Sequence, residues 1–223
     1  MIDLKQNVQY IKGVGPSNVV LLQKLGINTL EDLITFFPRN YEDRSKPKKI
    51  CDLVDGEETL IDVICASKMS ETRFAKNKVM LKMLVRDETG DCVLTWFNQT
   101  YLKNKFEVGQ RYQFYGKVSI KYGRIEMMKP VFDKEGISKN TGKIIPIYPL
   151  TYKLSQNKIR GIIENGLKQV LGKMEENIPD YILKEYNLYD INTALNQIHF
   201  PSDFSNYSKA RKRFVFEELL TVQ

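Results

Sequence analysis

The sequence predicts an α+β protein: a barrel of five strands set between an N-terminal helical segment and a C-terminal set of helices. Three observations carry this. Between Glu58 and Val131, apolar and polar residues alternate in five short runs separated by turn signals. Before that stretch, and again beyond Ile144, apolar residues recur at helical spacing behind capping residues. A short helix is predicted inside the alternating stretch, between its third and fourth runs.

Taken in order, Val8 to Ile27 predicts two helices joined by the turn Gly13-Val14-Gly15, with Pro16 as the first residue of the second helix. Backbone N–H groups at such a helix start can hold an anion, so Gly13 and Gly15 are candidate phosphate contacts of a helix-hairpin-helix-like element. Asn18 stands where a dinucleotide fingerprint needs a third glycine, which removes that reading. Thr29 caps a helix that runs to Phe37 and stops at Pro38. The charged stretch Pro38 to Ser45 reads as a linker.

The five strands are predicted at Leu60 to Lys68, Val79 to Asp87, Asp91 to Phe97, Arg111 to Ile120 and Ile125 to Val131. Asn98 is expected to cap the intervening helix, which runs to Lys105. Five strands with one small helix in that place is the plan of an OB-fold, which binds nucleic acid over one strand face and between the loops joining strands 1–2 and 4–5. Beyond Ile144, an extended proline-fixed segment leads to helices over Gln156 to Leu171, Asn177 to Tyr186, Ile191 to Ile198 and Tyr207 to Val222. The last helix meets no stop signal, as expected of a chain that continues in a longer protein. The domain division expected from this pattern is 1–45, 46–135 and 136–223.

Composition excludes several classes. Three cysteines at wide spacing and a single histidine, His199, supply neither a disulfide framework nor a zinc site. No apolar run is long enough to cross a bilayer, and the first residues lack the apolar core of a signal peptide, so a cytoplasmic location is expected. Gly136 to Ile144 imitates a P-loop but has five residues between its glycines where the motif has four, and Ile144 replaces the magnesium-binding hydroxyl. No cofactor, metal or catalytic residue is therefore expected in this chain.

Net charge is +7, and between Ala66 and Pro130 there are 13 Lys or Arg against 6 Asp or Glu. The whole surplus thus falls in the barrel segment. Local basicity with interleaved aromatics is the electrostatic signature of a nucleic-acid surface. Arg73, Lys76 and Lys78 lie in the first expected binding loop, Lys121 and Arg124 in the second, and Lys103 in the short helix; these six are candidate phosphate contacts. Alternation along the third strand turns Trp96 inward and Phe97 outward, with Tyr101 about one helical turn further on. Rings at strand ends also pack into cores, and the residue pattern alone leaves both readings of Phe97 and Tyr101 open.

Seven short pieces occur in one order: Ile11-Lys12-Gly13-Val14-Gly15-Pro16, Phe37-Pro38-Arg39-Asn40-Tyr41-Glu42-Asp43-Arg44-Ser45, Asp87-Glu88-Thr89-Gly90, Trp96-Phe97-Asn98, Pro146-Ile147-Tyr148-Pro149, Ile198-His199-Phe200-Pro201, and Ala210 through Leu220. Together they resemble the N-terminal part of RecG, the family of bacterial ATP-dependent DNA helicases that act in fork repair and recombination. The resemblance spans nearly the whole chain. It departs from the family's usual pattern in Arg39-Asn40, where Arg-Arg is more common, and in lacking the N-terminal helical extension of some members.

The resemblance implies that this chain holds the wedge, that two motor domains using ATP and Mg2+ follow it, and that the whole acts as a monomer on replication forks and four-way Holliday junctions. It implies that Phe97 and Tyr101 stack on unpaired bases at the branch point. Two other readings suit the same barrel. One is a protein-docking module for an extended peptide, such as the tail of a single-strand-binding protein. The other is an RNA-binding OB domain.

Overall fold

The computed structural model describes residues 2–75 and 78–221. Its helices are α1 (Pro16–Gln23), α2 (Leu30–Thr35), α3 (Gln156–Val170), α4 (Asp180–Glu185), α5 (Ile191–His199) and α6 (Phe204–Thr221). Its strands are β1 (Asn40–Arg44), β2 (Pro47–Lys48), β3 (Glu58–Cys65), β4 (Ser70–Ala75), β5 (Lys78–Arg86), β6 (Asp91–Phe97), β7 (Arg111–Lys121), β8 (Arg124–Lys134) and β9 (Lys143–Ile147). They form two compact units, Met1–Glu42 with Pro146–Gln223 and Asp43–Ile145. The fold is mixed α+β, with a sheet-rich OB-like core and helices at both ends of the chain.

In the second unit, the five expected strands are β3, β5, β6, β7 and β8. They pair in the order β3-β7-β8-β6-β5, and a further pairing of β3 with β5, through Ile64↔Arg86 and Cys65↔Val85, joins the two ends of the row. The β6–β8 pair is parallel and the others are antiparallel. The inward positions of the alternating pattern, among them Leu81, Met83, Cys92, Leu94, Trp96 and Phe114, are buried. The half-buried Phe106 packs against this core and contacts the rings of Trp96, Phe114 and Phe132. Burial raises the Cys65 thiol to about 11 and the Cys92 thiol to about 12, so both are inert at neutral pH. Cys51 is exposed.

Three features differ from the sequence expectation. The segment from Pro38 to Ser45 is not simply a linker, because β1 pairs with β9 in a separate two-stranded sheet. Charged residues hid this strand, whose partner lies about a hundred residues later. The first helix expected before Gly13 is only a 3-10 turn at Val8–Tyr10, with the Asn7 side chain accepting from the Gln9 N–H. The loop expected around Arg73 is partly strand, since β4 pairs with β5 as a hairpin.

In the first unit, Thr29 caps α2 in a reciprocal box with Asp32, as its spacing predicts. Gly166 of α3 lies against α2 so closely that an added Cβ would sit 2.8 Å from Leu33 Cδ2. The lone histidine is wholly buried here. Its Nε2 donates to the Ile34 carbonyl at 2.7 Å, which leaves Nδ1 to accept from the Tyr148 hydroxyl at 2.9 Å. Burial lowers the imidazole to about 4, against the opposing pull of the Ile34 carbonyl.

A buried group that binds its proton more weakly when folded contributes stability that is complete above the unfolded value of about 6.5 and is lost as pH falls toward 4. The expected loss is about 3 kcal/mol across that window. Denaturant midpoints followed by far-UV circular dichroism should shift accordingly, whereas His199→Gln should flatten this part of the pH profile. The fluorescence of the single tryptophan, Trp96, reports the barrel unit and should show a weaker dependence.

Candidate nucleic-acid interface

The interface is built from the end of β6. Trp96 pairs across from Leu81, and Phe97 from Met80. Because successive side chains of a strand point to opposite faces, Trp96 enters the core with 1% of its surface exposed. Phe97 faces the other way and is half-buried. Asn98 does not cap a helix. It takes a left-handed conformation with φ 55, and its Oδ1 accepts from the Val79 N–H at 3.0 Å, so it clips the end of β6 to the start of β5.

The helix expected to run to Lys105 is a single 3-10 turn, Thr100–Leu102. Asn98 spends its side chain on the neighbouring strand, which leaves the turn with Gln99 as its cap and no side-chain hydrogen bond there. Leu102 plugs the barrel at 1% exposure, while Tyr101 is 69% exposed, its hydroxyl donating to Gln99 Oε1. The sequence reading of a ring facing outward therefore matches Tyr101 fully and Phe97 in part.

Of the six candidate cations, Arg73 and Lys103 are brought together by one carboxylate. Glu71 Oε1 accepts from Arg73 Nε at 3.0 Å and Glu71 Oε2 from Lys103 Nζ at 3.2 Å. Hydrogen bonds from Arg73 and then Lys103 hold this carboxyl below its ordinary range. Lys78 is exposed at the start of β5. Lys121 and Arg124 flank the tight turn Tyr122-Gly123, both of whose residues have positive φ, and the Tyr122 ring stands fully in solvent. Lys76 lies outside the described residues.

Gly13 and Gly15 belong to the other unit. Gly13 has φ 93, and its carbonyl accepts from the Asn18 side chain at 3.0 Å. The Lys12 carbonyl accepts from Asn165 of α3 at 2.8 Å. Gly15 is the N-cap of α1, with Pro16 next and no acidic residue in the first turn.

One cation beside the Phe97 ring escaped the sequence reading. In β8, Lys117 of β7 faces Met128 and Tyr115 faces Val131, so Lys129 and Pro130 together oppose the single residue Gly116. This is a β-bulge, a device that re-aims a side chain. Lys129 is held at φ 49, and its ammonium lies 5.7 Å from the centroid of the Phe97 ring. A left-handed conformation costs a lysine about 1 kcal/mol or more. Two contacts lock it in: the Trp96 indole N–H donates to the Pro130 carbonyl at 3.0 Å, and Gly116 lets Pro130 come close. The available signal was Pro130 itself, because proline inside a strand run marks a bulge or an edge.

No cluster of three or more His, Cys, Asp or Glu side chains that could hold a metal ion occurs among the described residues. The P-loop-like segment is wound around the Asp133 carboxylate, which accepts from the Thr141 backbone and hydroxyl and from Asn140. A carboxylate at the centre of that loop repels phosphate. Among the described residues no helix is long and apolar enough to cross a membrane.

Comparison with known proteins gives consistent matches. The family model for the RecG wedge domain matches residues 7–170. The chain is 37% identical over its whole length to the ATP-dependent DNA helicase RecG of Thermotoga maritima, of which it covers 29%, and 30% identical to that of Streptococcus pneumoniae, of which it covers 32%. It thus spans about a third of the length of these curated relatives. A solved structure of RecG bound to a three-way DNA junction superposes with a TM-score of 0.90 at 36% identity, covering 99% of this chain and 30% of that one.

The bulge makes a direct prediction. A Cβ at position 116 would lie 3.0 Å from Met127 Cγ and 3.1 Å from Pro130 Cα. Gly116→Ala should therefore destabilise the barrel by about 1–3 kcal/mol. Urea unfolding monitored by Trp96 fluorescence checks this; an unchanged midpoint would show that the bulge can yield.

Proposed function

The chain belongs to the RecG wedge domain family, and on that premise we propose that it is the branch-binding part of an ATP-dependent DNA helicase that remodels stalled forks and recombination junctions. The observation that carries this reading is the end of β6. There Trp96 anchors the strand from inside while Phe97 and the exposed Tyr101 are delivered outside, in the segment that holds the chain's whole positive surplus. The likeness to a RecG bound to a three-way junction supports the same reading.

The physical roles divide simply. Lys78, Lys103, Lys121, Arg73 and Arg124 supply cations for phosphates, which position DNA without reading its sequence. Phe97 and Tyr101 offer π faces to bases that have lost their partners at the branch. Stacking contributes about 1–3 kcal/mol per base, enough to offset part of the cost of parting one base step. A duplex offers no such face, so the rings favour branches over plain duplex. ATP and Mg2+ belong to motor domains of such a helicase; this chain supplies the surface against which the arms are split.

The test is fork and duplex binding by the Phe97→Ala, Tyr101→Ala double variant. Fork affinity should fall about tenfold or more, with duplex affinity and its salt dependence nearly unchanged. Retention of the full fork preference would sink the stacking role.

A further inference from the structure

We propose that Lys129 is a phosphate-binding residue of the stacking platform, capturing the backbone phosphate of the unpaired nucleotide whose base lies on Phe97. The inference rests on the stacking role given to Phe97 above. Three observations converge on it. The ammonium stands 5.7 Å from the Phe97 ring centroid, so a base laid on that ring brings its own backbone within reach of a flexible lysine. The strand is bulged at this residue, and the bulge is fixed from within by Trp96 and Gly116 and not by the lysine itself. Finally, among the described residues no carboxylate forms an ion pair with Lys129, whereas Arg73 and Lys103 share Glu71 and Lys82 is paired with Glu126.

The chemistry selects the ligand class. A π face beside an ammonium that no carboxylate holds matches a nucleotide that has left its duplex, and matches every base equally, because each has a ring and a phosphate. A lysine is an unexpected choice for this backbone, since glycine takes a positive φ without strain. A purely structural position at φ 49 would be better served by glycine. Stability and binding should therefore respond in opposite directions when glycine replaces Lys129.

The experiment compares Lys129→Met and Lys129→Gly with the unaltered chain, using a labelled DNA fork with a fluorescent adenine analogue at the branch. Fork affinity should drop about three- to tenfold in both variants, and the slope of log affinity against log salt should shrink by about 0.7–0.9, one phosphate's worth. Lys129→Gly should unfold at the same or a higher denaturant concentration. Adding Lys129→Met to Phe97→Ala should weaken binding no further than Phe97→Ala does, because the two act on one nucleotide. An unchanged salt slope, or full additivity with Phe97→Ala, would overturn the proposal. If Phe97→Ala, Tyr101→Ala abolishes fork preference while Lys129→Met changes nothing, this inference alone falls; if that double variant keeps its fork preference, the stacking reading falls and takes this inference with it.

Discussion

An indole at the end of a barrel strand must find an acceptor for its N–H, because an unpaired polar group in an apolar core costs on the order of a few kcal/mol. Trp96 finds it in the Pro130 carbonyl of β8. That carbonyl is available because the strand bulges there: Pro130 has no N–H to give to a ladder, and Gly116 leaves room for the extra residue. The hydrogen bond thus joins the core to the surface. It fixes Trp96, hence the outward turn of Phe97 one residue later, and it fixes the bulge, hence the position of Lys129 above the Phe97 ring.

The same surface shows how a strongly basic segment avoids self-repulsion. Glu71 is one of few acids there, and it holds Arg73 of the β4 hairpin and Lys103 beyond the 3-10 turn on one carboxylate. Such exposed pairs add little stability. Their effect is geometric, since two cations from distant parts of the chain are kept together near the turn that carries Tyr101. On the proposed reading, a phosphate would compete with Glu71 for these two but, among the described residues, with no carboxylate for Lys129.

The sequence made the barrel legible because its strands alternate cleanly and its turns are marked by Gly90 and Gly123. The observed strands begin and end within about three residues of the expected ones. Strand β1 was hidden because Asn40, Glu42, Asp43 and Arg44 carry no apolar alternation, and its pairing with β9 is a long-range fact that no local window contains. Asn98 misled because the residue types that cap helices also tolerate left-handed backbone; only its tertiary partner, Val79, decides between the two. At the proposed interface, position marked Phe97 and Tyr101 as candidates without deciding between core and surface, whereas Lys129 depended on a register shift. One extra residue in a strand changes which side chain meets which ring, and periodicity cannot see it.

The family signature in the sequence divides along the same line. Phe37, Tyr148, His199 and Phe214, drawn from four separate motif pieces, meet inside the helical unit: Phe37 packs on His199 and Phe214, and Tyr148 hydrogen-bonds His199. Arg213, from the last piece, is fully buried and spans Glu176, Asn177 and Glu217. A buried guanidinium and a buried imidazole tolerate few alternative packings, because a displaced partner leaves an unsatisfied group in the core. These pieces therefore identify the architecture, and a match to them by itself says little about DNA. Trp96-Phe97-Asn98 is different. It is the piece in which one residue secures the core, the next turns a ring outward, and the third ends the strand so that Tyr101 follows in solvent. It is on those few residues that the proposed branch binding depends.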